Sequence, residues 1–187
     1  SITAESYGNK IIFLFIGGFI LALAVEKWNL HKRIALSIIS IIGTNISNVM
    51  LGFMLATAFL SMWISNTATT VMMLPIALSV IAQFKTENKE TATTFGKALM
   101  LSIAFSASIG GLGTLIGTPP NLIFASFVQE NYGIEISFAQ WMKIGIPISL
   151  SLLFIAWIYL TKFAFTFKTA KVSIKKNELS DLSLIHI

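Results

Sequence analysis

The chain contains no cysteine. Disulfides, thiolate metal sites and cysteine nucleophiles are therefore excluded. Histidine occurs only at His31 and His186, near the edge of an apolar run and in the tail. Neither has a partner at metal-ligand spacing. Charge is scarce: 11% of residues are Asp, Glu, Lys or Arg, against roughly a quarter in an average soluble domain. Residues 34–84 and 98–129 carry no charge at all. Those runs hold no acid, base or metal-ligand cluster, which argues against a membrane enzyme. The lysines fall in short segments between apolar runs. That placement suits membrane topology and argues against a nucleic-acid surface.

What is present is apolar bulk, 55% of all residues. Residues 11–25, 34–84, 98–129 and 144–161 form four apolar stretches, and a bilayer needs about 20 apolar residues per helix. Residues 11–25 lack a signal-peptide cleavage pattern and are expected to be retained. The fold class read from this is an all-α integral membrane protein.

Charge sets the orientation. Lys27, Lys32 and Arg33 flank the second run; Lys85, Lys89 and Lys97 follow it; Lys168, Lys171, Lys175 and Lys176 follow the last. Residues 128–141 hold only Glu130 and Glu135. The positive-inside rule places the first three segments in the cytoplasm and the fourth outside. Residues 34–84 must then enter the membrane and return to the same side. Two full spans would do so, as would a re-entrant hairpin preceded by an interfacial helix over residues 30–43. Ser65-Asn66-Thr67 at the midpoint favours the hairpin, because short polar side chains compete for backbone groups. Its arms are expected at 51–64 and 68–82.

The next run crosses outward. Residues 98–109 read as helix, then Gly110, Gly111, Gly113 and Gly117 crowd together before Pro119-Pro120. Prolines remove backbone donors and disfavour helix in the preceding residue. A half-helix is expected from about Asn121 to Gln129. Trp141 suits an interfacial anchor, and residues 138–163 return to the cytoplasm.

Each break would expose helix ends inside an apolar run, which is tolerated only where backbone is buried in protein or lines a watery cavity. Paired interruptions of this kind point to a transporter's binding site. Ser61, Ser65 and Asn66 offer neutral oxygens, with Ser61 and Ser65 expected on one helical face. A carbonyl at Gly117 completes the set, and a hard cation suits it. Thr67 and the N-terminus of the second arm suit a carboxylate. With no titratable group at depth, sodium is favoured over proton coupling. Taken singly, such a triplet is more often interhelical hydrogen bonding, and a glycine-rich stretch more often close packing. Their pairing, each with an asparagine, favours a site.

Three stretches carry a resemblance: FIGGFILALAVEKWNLHKRIAL at 15–36, MLGFMLATAFLSMWISNTATTVMMLPIA at 50–77 and SIGGLGTLIGTPPNLIFASF at 108–127. In kind and order they resemble the divalent-anion:sodium symporter family, which carries dicarboxylates, citrate or sulfate. The resemblance implies one inverted-repeat half of a transporter, with a re-entrant helical hairpin and a broken transmembrane helix. It implies sodium-coupled symport of small anions of the succinate, malate, fumarate or citrate class by an elevator mechanism, in a homodimer within the bacterial inner membrane. Ser61, Ser65, Asn66 and Gly117 would bind sodium; Asn66, Thr67, Thr118 and Pro120 would bind substrate. The implied division is a scaffold helix at 1–29, an arm helix and linker at 30–49, the hairpin at 50–84, a cytoplasmic loop at 85–97, the broken helix at 98–130, an outer loop and last span at 131–167, and a basic tail at 168–187. The resemblance also implies a second Ser-Asn-Thr hairpin and a second broken helix, and this sequence has neither. The chain therefore reads as a first repeat cut at both ends, with residues 177–187 an artificial or out-of-frame end and no coupled transport expected from it alone. A sodium-independent anion exchanger, a sulfate carrier and a channel are the alternatives.

Overall fold

The computed structural model describes residues 10–28, 45–83 and 89–165, with isolated positions between 30 and 38. The arm expected at 30–49 lies largely outside the described residues, and the basic tail lies wholly outside them. Every regular element among the described residues is helical. In chain order they are α1 (Lys10–Lys27), α2 (Ile46–Ser61), α3 (Asn66–Gln83), α4 (Lys89–Gly111), α5 (Pro119–Tyr132) and α6 (Phe138–Ile158). A π-helical turn, Tyr159–Ala164, continues α6.

The core sits where α2, α3 and α4 meet. Met50 and Phe53 of α2, Met73 and Ala77 of α3, and Phe95 and Leu99 of α4 share one buried cluster. Small residues let the backbones approach. A Cβ at Gly110 of α4 would collide with the backbone of Ala58 in α2. Helices whose carbonyls and Cα atoms touch in this way gain dispersion contacts that larger side chains would prevent. On its other side α2 meets α6, with Met54 and Ala58 against Leu153. The Trp157 indole of α6 donates to the Ser47 carbonyl at 2.9 Å, pinning α6 to the start of α2.

Outside this core the surface is aliphatic. Phe13, Ile20 and Leu23 on α1, Val71 and Leu78 on α3, and Ile144, Phe154 and Ile155 on α6 are all exposed. An apolar exterior of this extent matches hydrocarbon rather than water. Among the described residues, two helices are long and apolar enough to cross a bilayer, Ala92–Gly111 and Phe138–Ala164. The chain is an integral membrane protein in composition and in surface.

Three boundaries depart from expectation. The turn between α2 and α3 is residues 62–65, so Asn66 and Thr67 already belong to the first turn of α3. Residues 89–97, expected as loop, are helical. Lys89, Glu90, Ala92 and Lys97 favour helix, and burial of Phe95 in the core with Ala98 and Leu99 carries it through the threonines and Gly96. The half-helix starts at Pro119 rather than Asn121, because the first helical positions need no backbone donor. It runs to Tyr132, where Gly133 takes a left-handed φ of 67° and caps it.

The Ala58–Gly110 approach yields a prediction. Gly110→Ala should destabilise the fold by about 3 kcal/mol, because backbone cannot yield as a side chain can. Gly17→Ala, with open space around Gly17, should leave stability unchanged or raise it by up to about 1 kcal/mol. Thermal unfolding in detergent or nanodiscs compares the two.

Candidate functional site

The α2–α3 turn closes tightly. Met62 donates to Ala58 O at 3.2 Å, and Trp63 and Ile64 donate to Leu60 O, both at 3.0 Å. Ser65 then caps α3: its carbonyl accepts from Thr69 N at 2.9 Å, and its hydroxyl accepts from Ala68 N at 3.3 Å. Hydroxyl capping satisfies donors that a helix start leaves bare.

The interruption between α4 and α5, residues 112–118, is laced to that turn and to itself. The Thr114 hydroxyl donates to Met62 O at 2.5 Å and accepts from Gly117 N at 3.1 Å. Asn121, 5% exposed, donates from Nδ2 to Gly111 O at 2.9 Å and Thr114 O at 2.8 Å. Helix α6 braces the outer side. The Trp141 indole donates to Leu112 O at 3.0 Å, and Ser149 donates to Ile109 O at 2.9 Å. Carbonyls freed by the interruption are thus taken up by side chains, as burial demands.

The C-terminal turns of α2 and α4 and the N-terminal turns of α3 and α5 meet here. Between them lies an oxygen cluster. Ser61 Oγ is 2.6 Å from Asn66 Oδ1 and 2.7 Å from Ala107 O, and Ser61 is fully buried. A hydroxyl has one proton to donate, so it cannot satisfy both acceptors. Either a cation joins the three oxygens, or the amide turns over and Nδ2 donates to Ser61. The amide lies flat on Gly111, where a Cβ would sit 2.5 Å from Asn66 Oδ1. Beside the cluster, Ser65, Trp63, Gly117 and Pro119 line a crevice of about 70 Å³ closed by Gly18 and Phe19 of α1. A larger apolar cleft, about 530 Å³, lies on the α6 side of the interruption between Phe124, Trp141 and Ile148. It has none of the oxygens of the tip.

A family model described as citrate transporter matches residues 1–182. The chain belongs to the citrate transporter family. It is also similar to the sodium-dependent dicarboxylate transporter SdcS of Staphylococcus aureus, strains USA300 and NCTC 8325, at 52% identity over 167 residues. That alignment covers 87% of this chain and 32% of each relative, so the chain spans about a third of the relatives it matches. Family and relatives are transporters, not enzymes.

On this citrate transporter family member, the residues singled out from sequence fall into two groups. Ser61 and Asn66 are in direct contact; Ser65 and Gly117 share the adjoining crevice. The expected common helical face of Ser61 and Ser65 does not form, because α2 ends at Ser61 and Ser65 lies in the turn before α3. Thr67 and Pro120 are exposed and Thr118 is half-buried. Thr118 precedes α5 with an extended backbone and no side-chain cap bond. The sequence marked Asn121 as one of the paired asparagines without giving it a role, and it pointed to neither Thr114 nor the Ala107 carbonyl. Asn121 had a readable signal, a carboxamide in a charge-free run, which needs buried partners. Ala107 had none, since a backbone acceptor carries no side-chain mark. Trp141, read as an anchor at the membrane boundary, also holds a carbonyl of the interruption.

Asn121→Leu should cost about 3 kcal/mol, since Gly111 O and Thr114 O both lose a buried donor. Asn131→Leu, removing an exposed amide bonded within its own helix, should cost little. Thermal melting of the two variants separates a lock from an ornament.

Proposed function

We propose that this chain supplies one sodium site and one side of a carboxylate site in a sodium-coupled carrier of small di- or tricarboxylates. The observation that carries the reading is the buried Ser61 hydroxyl, which lies within hydrogen-bond distance of both Asn66 Oδ1 and Ala107 O with one proton to give. Such a donor set is neutral and hard, which suits an alkali cation. The C-terminal turns of α2 and α4 add partial negative charge at the same point. Ser65 and the Gly117 carbonyl, lining the crevice next to it, complete the proposed shell. The similarity to carriers named as sodium-dependent dicarboxylate transporters supports both ion and substrate class.

The anion side follows from charge balance. No Arg, Lys or His lies in residues 34–84 or 98–129, and the breaks hold only neutral groups. A carboxylate there is offset by sodium and by the N-terminal turns of α3 and α5. Asn66, Thr67, Thr118 and Pro120 are the proposed contacts. Sodium would order the tip, and the loaded site would bind the anion more tightly, which is a coupling free energy between two ligands.

The membrane arrangement is proposed on length. At 1.5 Å per residue, α2 and α3 would extend about 24 and 27 Å, short of the roughly 30 Å of hydrocarbon. They suit a re-entrant hairpin entering from the cytoplasm. On this reading α4 and α5 form the broken transmembrane helix, α1 belongs to a scaffold, and residues 30–49 form the connecting arm. Elevator movement of the hairpin side, a homodimer and a bacterial inner membrane complete the proposal.

The test is uptake of labelled succinate or citrate by a full-length carrier containing these residues. Sodium-driven uptake should fall at least about tenfold in Asn66→Ala, equivalent to roughly 1.4 kcal/mol of lost interaction, with expression unchanged. Replacing sodium with choline should abolish uptake in the parent. Uptake that persists in choline would overturn sodium coupling and favour an exchanger; unchanged uptake in Asn66→Ala would remove Asn66 from the site.

A further inference from the structure

Three buried hydroxyls stand apart from every bond described above. Thr57 of α2, Thr69 of α3 and Ser106 of α4 are each fully buried, and their oxygens have no hydrogen-bond partner. This is unusual on two counts. Buried polar atoms are nearly always paired. Helical Ser and Thr also have a default partner, the carbonyl four residues back. Ser102, one turn from Ser106, uses that partner and donates to Ala98 O at 2.8 Å. Thr70, next to Thr69, donates to Asn66 O at 2.8 Å. The three hydroxyls forgo the local bond that their neighbours make.

Their positions converge. The apolar cluster is built from three stripes: Ile46, Met50 and Phe53 on α2; Val80, Ala77 and Met73 on α3; Phe95, Leu99 and Ile103 on α4. One further helical turn along each stripe reaches Thr57, Thr69 and Ser106 respectively. All three stripes extend toward the same end, where Ser61 meets Asn66 and Ala107. Helical register therefore places the three hydroxyls beyond the apolar stripes, on the side of the hairpin tip.

We propose that Thr57, Thr69 and Ser106 form one buried water-binding site, in which a single water molecule ties α2 and α3 to α4. A buried water makes about three hydrogen bonds to groups otherwise unsatisfied, and three are offered, one from each helix. Water both donates and accepts, as do hydroxyls, so any combination of their rotations closes the network. A resident cation fits less well. Thr57 and Ser106 lie outside the last turns of α2 and α4, so they lack the partial negative charge that favours a cation at Ser61. The site is independent of what binds at the tip. It would add to the Ala58–Gly110 contact in holding the tip in register with the interruption.

The test uses the purified protein in nanodiscs, with Thr57→Val, Thr69→Val and Ser106→Ala made singly and in pairs, each melted in sodium and in choline chloride. With a shared water, each single variant should lower Tm by about 3 °C. Each pair should fall little further than its worse single, because the first loss already breaks the bridge. The drops should be equal in both salts. Thr57→Ser and Thr69→Ser, which keep the hydroxyl, should melt near the parent. Unchanged or raised Tm with additive pairs would overturn the proposal, since removing an orphaned hydroxyl is neutral or stabilising. Serine variants that fall as far as the valine variants would also overturn it, by assigning the effect to packing. A drop seen only in sodium would assign the site to a cation instead of water. If a variant fails to fold, a map of the parent protein decides: one density peak within about 3 Å of all three oxygens supports the site, and none refutes it.

Discussion

A helix interrupted inside an apolar, charge-free run must find partners for the backbone groups it frees, and here the two interruptions supply them for each other. The Thr114 hydroxyl, from the second, holds the Met62 carbonyl of the first. The Ser61 hydroxyl, at the first, faces the Ala107 carbonyl just before the second. Asn121 gathers the carbonyls of Gly111 and Thr114. An unpaired buried backbone group costs as much as a lost hydrogen bond or more. Each interruption therefore stabilises the other. The close approach of Ala58 and Gly110 and the brace from Trp141 and Ser149 follow from the same need to keep the two in register.

That mutual dependence concentrates helix termini. Two C-terminal and two N-terminal turns share one small region, so partial charges of both signs lie within a few residues of each other. Such a region can serve a cation and an anion together without a charged side chain. Under the proposed reading, sodium supplies the positive charge that an arginine would otherwise bring. The charge then arrives and leaves with the ion, and the occupied site can differ from the empty one in electrostatics as well as in shape.

Much of this was legible in the residues. The helical runs, the position of the second interruption and the involvement of Ser61 and Asn66 follow from charge-free stretches broken by Ser-Asn-Thr and by clustered glycines and prolines. The extent of the helices was less legible. Charged residues 89–97 end an apolar run but continue a helix, and Pro119 starts one. The facing of Ser61 and Ser65 was misread because it assumed α2 ran on past Ser61. Tertiary partners were the least legible: Thr114 reaches Met62 across 52 residues, and the Ala107 carbonyl leaves no trace in side-chain chemistry. Local spacing speaks to which groups are available, and packing decides which of them meet.

If the oxygens of the α2–α3 turn and the α4–α5 interruption hold a cation, radioactive sodium should bind the purified protein in nanodiscs at equilibrium. Binding to the parent should saturate and resist displacement by potassium and choline, and both Ser61→Ala and Asn66→Ala should lose it. Absence of saturable binding, or binding that both substitutions leave intact, would contradict the cation site and leave the Ser61–Asn66 contact as a neutral hydrogen bond between helices.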